Sequence, residues 1–376
     1  MSTVTREPNM ANAPGFAEPA LNRPSATIRA RPLRLAVSRV VPRWMKTWVR
    51  RALNTGSLCA NTVYDLRRFW RWSSVARRSG ARLNLRALIA MNTHNVEKGL
   101  SLKEPRPGFG LDRIRTLMSD LGEYTALYGF DDMCEVTINV LRQYQQFNLK
   151  HGIDNMEVAR FLAEMSHQGR CQPHGGTLTT TQQEIHSAAK MDMRPFFSSR
   201  FSVRQFDTSR DVEMRLIEEA VAMAQKTPSV CNRQSCRVWA LQERADVIGA
   251  LEIQRGAVGF AEQVNKVLVV TSELAHFVNV GERYQGWIDG GMFSMSLVYA
   301  LHSLGLGTCC LNWSKRREVD KEMKRFLGIG DSETIIMLIA VGHLPETVNV
   351  AQSVRKKLDD VLVTVNARDR RRNPSP

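Results

Sequence analysis

Apolar residues follow two kinds of pattern along this chain, and the change between them comes near residue 200. Before it they recur at helical spacing. Asp112–Tyr128 and Asp131–His151 predict helices, the second with Val136, Val140, Leu141 and Tyr144 on one side. Met156–His167 and Thr180–Lys190 predict two more, whereas Asn92–Gly110, with its charges, glycines and prolines, reads as a loop. After residue 200 helices and strands are interspersed. Met214, Ile217, Ala220, Val221 and Ala224 share a face behind Asp211, which is placed to cap their helix. Arg237–Leu241, Lys266–Val270 and Glu333–Gly342 read as strands. Asp289–Leu304 is apolar on nearly every side and predicts a buried helix, which turns through two glycines into a strand over Leu304–Asn312. This pattern fits α+β or α/β, and no repeat of fixed period runs through it.

The 376 residues are enough for two ordinary domains, and a hydrophobic content of 43% supplies a core. A net charge of +15 would point to nucleic acid if it were evenly spread. It is not. Residues 1–90 carry 17 Lys and Arg against Glu7, Glu18 and Asp65, which leaves the rest of the chain close to neutral. The expected layout is a disordered tail (1–27, with Pro8, Pro14, Pro19 and Pro24), a basic amphipathic arm (28–88), a helical accessory region (89–190), a mixed domain (191–365) and a basic disordered tail (366–376).

In the arm, Leu33, Val37 and Val40 come together at helical spacing until Pro42 interrupts, and Trp44, Trp48, Trp70 and Trp72 stand among arginines. Such an arm can lie on an anionic membrane surface, pack on a partner or on its own C-terminal domain, or bind RNA through charge and stacking, the last being the least favoured. No apolar run reaches the length of a membrane span and no signal-peptide core follows the start. The expected location is cytoplasmic, peripheral at the inner membrane face if the arm binds lipid. Cysteines 59, 134, 171, 231, 236, 309 and 310 form no CxxC pair and no Cys/His metal spacing. They read as reduced thiols, and no metal is expected.

Chemistry concentrates in two stretches, Arg200–Phe206 (RFSVRQF) and Pro228–Gln234 (PSVCNRQ). Their guanidinium, hydroxyl and amide groups suit a ligand with a phosphate at one end and a polar heterocycle at the other. The order RxSxRxF then PSxxNxQ resembles the nitroreductase-like flavoproteins, which hold FMN at a dimer interface. Asp289–Trp313 (DGGMFSMSLVYALHSLGLGTCCLNW) is similar to that family's central helix and flavin-side strand. VGHLP at Val341–Pro345, followed by SVRKKL at Ser353–Leu358, is similar to its closing strand and basic phosphate contact. The resemblance spans about residues 185 to 365 and implies an α+β fold, a mainly antiparallel sheet wrapped by helices.

It also implies roles. Arg200, Ser202 and Arg204 would meet the phosphate, the ribityl chain or the pyrimidine edge. Pro228 and Ser229 would reach the flavin of the other subunit of a homodimer. Asn232 would bond the ring edge with Gln234 in support, and backbone N–H groups over Leu311, Asn312 and Trp313 would face the flavin N5 and O4 side. Arg355, with Lys356 beside it, would make the last phosphate contact. Ser235–Cys236 departs from the Pro-aromatic pair usual after the glutamine. Cys231 and Cys236 are better read as small core residues than as redox thiols. A surface loop with ordinary ion pairs, or a polar turn after a helix, would use the same residue types.

The implied function is an FMN-dependent oxidoreductase that takes hydride from NADH or NADPH and passes it to a small-molecule acceptor. The flavin carries the chemistry, so no catalytic side chain is expected, and no Ser-His-Asp, HExxH or P-loop pattern is present. The alternative is a non-catalytic flavin-binding or structural partner in a membrane-surface assembly. EKGL and PRPGFG in the accessory region resemble segments of nitroreductase-like proteins linked to bacterial exopolysaccharide biosynthesis. His94, Glu97 and Lys98 stand there either as a lid or substrate contact over the flavin, or as ordinary capping and ion-pairing groups.

Overall fold

Strand β2 (Lys266–Glu273) shows why the mixed half folds as it does. Its sequence, KVLVVTSE, has no outward polar alternation, and every residue in it is buried. A strand of that kind needs cover on both faces. It sits inside a four-stranded antiparallel sheet of order β1-β2-β4-β3, with β1 at Cys236–Leu241, β3 at Leu306–Asn312 and β4 at Glu333–His343. The fold is therefore α+β, the alternative that the resemblance implies and that the pattern alone leaves open beside α/β. The computed structural model describes residues 42–75, 81–165 and 175–365. The expected tails at 1–27 and 366–376, and the Leu33, Val37 and Val40 face, lie outside the described residues.

The chain divides into two units, Met1–Leu58 and Cys59–Pro376. In the first, the described residues belong to helix α1 (Arg43–Trp72) and expose Trp44, Trp48, Leu53 and Leu58. In the second, helices α2 (Arg82–Leu100), α3 (Leu111–Tyr128), α4 (Asp132–Lys150) and α5 (Met156–Met165) close around their own core of Leu85, Ile89, Leu117, Leu121, Ile138 and Leu141. Two short helices, α6 (Gln182–Ala188) and α7 (Met193–Ser199), lead into the sheet domain. There α8 (Met214–Ala224) and α10 (Gln285–Ser303) cover one face, and α9 (Arg244–Gln254) and α11 (Arg317–Leu327) the other. Val267 and Val269 point to the second core, Leu268 and Val270 to the first, so each residue of β2 is used.

A register shift between Val270 and Thr271 leaves Ile336 as the extra residue of β4. Ile336 swells toward α10, and Gly290 makes room for it, since a Cβ there would meet Ile336 Cγ1 at 2.5 Å.

Three sequence expectations need correction. Asn92–Leu100 is helical, the second half of α2, because Ile89, Asn92, Thr93 and Val96 form one buried face. Its polar members hid the period: Thr93 is buried against the Thr137 hydroxyl at 3.2 Å. Asp211 does not cap α8, whose first residue is Met214. Instead it takes the buried Lys266 ammonium at 2.5 Å. Helix α10 begins four residues before Asp289 and is not buried all round, for Trp287, Ile288 and Met292 are exposed along one side. Helix α5 is described to Met165, and the His167 end of its expected span lies beyond.

Candidate functional site

The segment after α7 is pinned to the β3 edge. Val203 N donates to Thr308 O at 2.8 Å, Ser202 bridges Thr308, and Val203 and Phe206 enter the core. Alternation then leaves Arg204 exposed, where its Nη1 reaches only the Ser202 carbonyl at 3.4 Å. Arg200 caps the end of α7 close enough to Cys310 and His302 for its charge to act on both thiol and imidazole. The C-terminal stretch returns to this flank, with Asn349 N donating to Gln205 Oε1 at 2.9 Å. Arg355 and Lys356 are exposed beyond it, Arg355 bonding the Ser353 carbonyl. Among the described residues, none of Arg200, Arg204, Arg355 and Lys356 pairs with a carboxylate. Arg200 and Arg204 lie along the β3 edge, while Arg355 and Lys356 follow six and seven residues after the Asn349 anchor, and uncommitted cations of this kind suit a phosphate.

The second motif precedes β1, at the opposite sheet edge. Cys231, Asn232 and Gln234 hold φ of 48°, 51° and 49° without being glycine. Left-handed residues in such a run persist only where neighbours impose them. Arg233, with no side-chain exposure, donates to His276 O at 2.7 Å and grips Glu282 at 2.6 Å. Ser229 Oγ accepts from Gln234 N at 3.0 Å, and the buried Asp289 accepts from Val230 N at 3.2 Å. Arg233 and Asp289 were given no role from sequence. Asp289 had a signal, a carboxylate opening an otherwise apolar helix. Arg233 had none, as an arginine inside a polar motif reads as exposed.

Asn232 and Gln234, both exposed to the space beside them, line a cavity of about 350 Å³ roofed by Arg86, Thr93, His94 and Glu97 of α2 and by the first turns of α4. Glu97 receives Gly176 N at 3.0 Å through one oxygen and His94 Nδ1 at 3.1 Å through the other. Lys98 is exposed and does not line the cavity. On the other side of Gln234 a second cavity, about 290 Å³, is lined by Pro228, Ser229 and Asp289. Burial pushes the Cys236 thiol at its wall up to about 12, which removes it as a thiolate near neutral pH. Burial and then the Arg233 charge push His276, also on the first cavity, down to about 4, so it stays neutral.

Leu311 and Trp313 are buried, and the exposed Asn312 between them gives its carbonyl to Gln254 Nε2 at 2.9 Å. Trp313 Nε1 donates to the buried Asp320 at 2.8 Å, fixing the end of β3.

The two motifs are not brought together within one chain. Ser202 sits beside Thr308, which pairs with Val341 near one end of β4, whereas Cys236 pairs with Ser272 and, through it, Thr334 at the other end. Two strands also separate β1 from β3. Ideal strand rise and spacing put these opposite corners about 25 Å apart, more than an extended FMN spans.

The Nitroreductase family model matches residues 197–343. No curated protein matches the chain. Among solved structures, an FMN-dependent nitroreductase from Clostridium difficile R20291 is 17% identical, with 46% of this chain and 98% of that one covered at a TM-score of 0.39. A nitroreductase-like protein from Streptococcus mutans is 18% identical, with 46% and 98% covered and a TM-score of 0.40. A candidate nitroreductase from Desulfovibrio desulfuricans, solved with FMN, is 17% identical, with 47% and 98% covered and a TM-score of 0.40. At these identities and scores nothing about the site is carried across. Residues 197–343 thus match the Nitroreductase family by its own model, and helices α1 to α6 lie outside the match.

Proposed function

We propose that this chain is an FMN-dependent oxidoreductase that works as a homodimer and takes reducing equivalents from NADH or NADPH for a small organic acceptor. The observation that carries the reading is the diagonal placement of two incomplete half-sites, one cationic and one bearing amides on a strained loop. Two chains related by a two-fold axis would bring the cationic corner of one against the amide corner of the other. The uncovered face of α10, where Tyr284, Trp287, Ile288 and Met292 lie at i, i+3, i+4 and i+8, supports such a partner.

In this reading Arg200, Arg204, Arg355 and Lys356 neutralise the FMN phosphate, and Ser202 bonds the ribityl chain. Ser229, Asn232 and Gln234 of the second chain bond the ring edge, and the backbone of Leu311–Trp313 offers donors to the ring. Bound FMN would supply reversible hydride acceptance and donation. The residues' task is to hold the ring, keep water out and present donors where negative charge gathers. The cavity under His94 and Glu97 adjoins the amide loop and is the place for the acceptor.

Anaerobic titration tests the activity. Flavin that co-purifies and bleaches with NADH or NADPH supports it, and flavin that stays oxidised with both donors favours a non-catalytic holding role instead. Complementation tests the shared site. Arg204→Ala and Ser229→Leu chains should each retain little FMN alone. Refolded together, they should recover about a quarter of the wild-type sites, because half the dimers are mixed and each mixed dimer has one intact site. No recovery would place both motifs on a flavin held by one chain.

A further inference from the structure

Away from the flavin-side cavities, the described residues form a strongly basic hollow of about 260 Å³ where the later turns of α1 meet α11. Arg67, Arg68 and Arg71 enter it from α1, Arg317 and Lys321 from α11, and Asp331 is the only carboxylate on its wall. That carboxylate is already committed. It lies 3.4 Å from Arg68 and accepts from Trp72 Nε1 at 3.0 Å. Arg68 is committed as well, buried and donating to Asp331 O, Glu333 O and Thr334 Oγ1. Arg317 leans on Glu318 at 2.7 Å. Arg67, Arg71 and Lys321 have no carboxylate partner among the described residues. Arg71 lies over the Trp72 ring at 5.1 Å, and Lys321 over the Tyr64 ring at 5.3 Å. Like charges held this close repel one another unless an anion comes between them.

The same turns of α1 have two faces. Tyr64, Arg68, Phe69 and Trp72 fasten the helix, Tyr64 to Asp320 at 2.8 Å and Phe69 against Leu274 and Phe277. The opposite face carries Val63, Leu66, Arg67, Trp70 and Arg71 at i, i+3, i+4, i+7 and i+8, with Leu66 62% and Trp70 58% exposed. A site for a free phosphate needs cations and no apolar rim. Here aliphatic and indole groups alternate with guanidinium groups on one surface, which is the composition of a helix lying at a bilayer interface. Lys321 adds a cation to that surface from a second helix.

We propose that this face binds the phosphate of an anionic phospholipid at a membrane surface. Arg67, Arg71 and Lys321 take the phosphate, and Leu66 and Trp70 enter the interface. The site stands independently of the flavin reading and of residues 1–41.

The test is sedimentation of the full chain with vesicles of phosphatidylcholine alone or mixed with phosphatidylglycerol. Wild type should sediment with the mixed vesicles, and less so as salt rises. Each basic residue near an anionic surface is worth roughly fivefold in partitioning, so Arg67→Gln with Arg71→Gln should weaken binding roughly twenty-five-fold. Lys321→Gln should weaken it roughly fivefold, a loss that a basic tail acting alone would not show. Arg215→Gln, an exposed change on α8, should leave binding as it is, and unchanged circular dichroism confirms folding of each variant. Wild-type binding by the Arg67/Arg71 double variant would overturn the proposal. So would equal binding to phosphatidylcholine alone. Thermal stabilisation by inorganic phosphate, or binding of a single-stranded RNA oligonucleotide, without vesicle binding would also overturn it, assigning the hollow to another anion.

Discussion

Arg233→Met removes the group that holds the amide loop in place. The guanidinium is fully enclosed, bonds Glu282 through two nitrogens at 3.0 and 2.6 Å, and donates to the carbonyls of His276 and Val230. Methionine fills a similar volume with no donors. It leaves the Glu282 carboxylate, only 12% exposed, with the backbone N–H groups of Val278, at 2.7 Å, and Asn279 as donors. Breaking one side of a buried pair costs about 3–5 kcal/mol, against a few tenths for a surface change. The expected loss is about 4 kcal/mol, read as a shift of the urea midpoint at constant slope.

Adding Glu282→Gln, which keeps an acceptor for Val278 N and removes the stranded charge, should return about 2 kcal/mol of that loss. The pH dependence gives an independent check. Burial alone would raise the Glu282 carboxyl, but the Arg233 and backbone hydrogen bonds outweigh it and hold the carboxyl below its usual range. Its contribution to stability is therefore present above the unfolded value and lost as pH falls through the folded one. In Arg233→Met the arginine's share of that lowering is gone while burial and the backbone hydrogen bonds stay, so protonation costs the variant less than the wild type. The gap between the two proteins should narrow as pH falls from about 6 to about 4. A cost under 1 kcal/mol, or a gap that widens in acid, would refute the account of this loop.

Gly290→Ala should destabilise by about 1–3 kcal/mol, because a methyl group there presses on Ile336 at the β4 bulge; the urea midpoint reads it. Asp289→Leu strands the Val230 N–H and should lower FMN occupancy at purification, whereas Asp289→Asn keeps an acceptor and should hold it near wild type. Thiol labelling of the native protein at pH 8 should modify the exposed Cys59 within minutes and leave Cys134 and Cys236 untouched, since burial pushes these to about 11 and about 12.

Strands and helices were legible where one physical rule dominates. Lys266–Val270 and Glu333–Gly342 read as strands because apolar runs rich in β-branched residues have few other places to go, and both are central in the sheet. Asp131–His151 was legible from its period, and Asp131 does cap α4 through Met133 N and Cys134 N. Three kinds of information were not. Thr93 and Asn92 are polar residues on a buried face, so no hydrophobic period marks the second half of α2. Asp211 sits where a cap would, but a lysine fifty-five positions away claims it. The apolar surround of α10 is evenly distributed in sequence, and only the packing shows that Trp287, Ile288 and Met292 face outward. The site residues themselves were visible as chemistry, yet their separation across the sheet depends on strand order, which no local signal encodes.

That separation and the strain of the amide loop point the same way. Holding a residue other than glycine in the left-handed region costs on the order of 1–3 kcal/mol, and Cys231, Asn232 and Gln234 do so within four positions. A turn whose only task was to enter β1 could carry glycine at these three positions and lose that cost. Here the surroundings enforce it three times over, through the Arg233–Glu282 pair, the Asp289 carboxylate and the Ser229 hydroxyl. The enforced shape leaves the amides of Asn232 and Gln234 exposed on a cavity, and among the described residues they bond only within this pair, Gln234 Nε2 donating to Asn232 Oδ1 at 3.3 Å and to Asn232 O at 3.5 Å. Donors held at a conformational cost, facing open space, at the corner farthest from the uncommitted cations, make sense if what completes them comes from outside the chain.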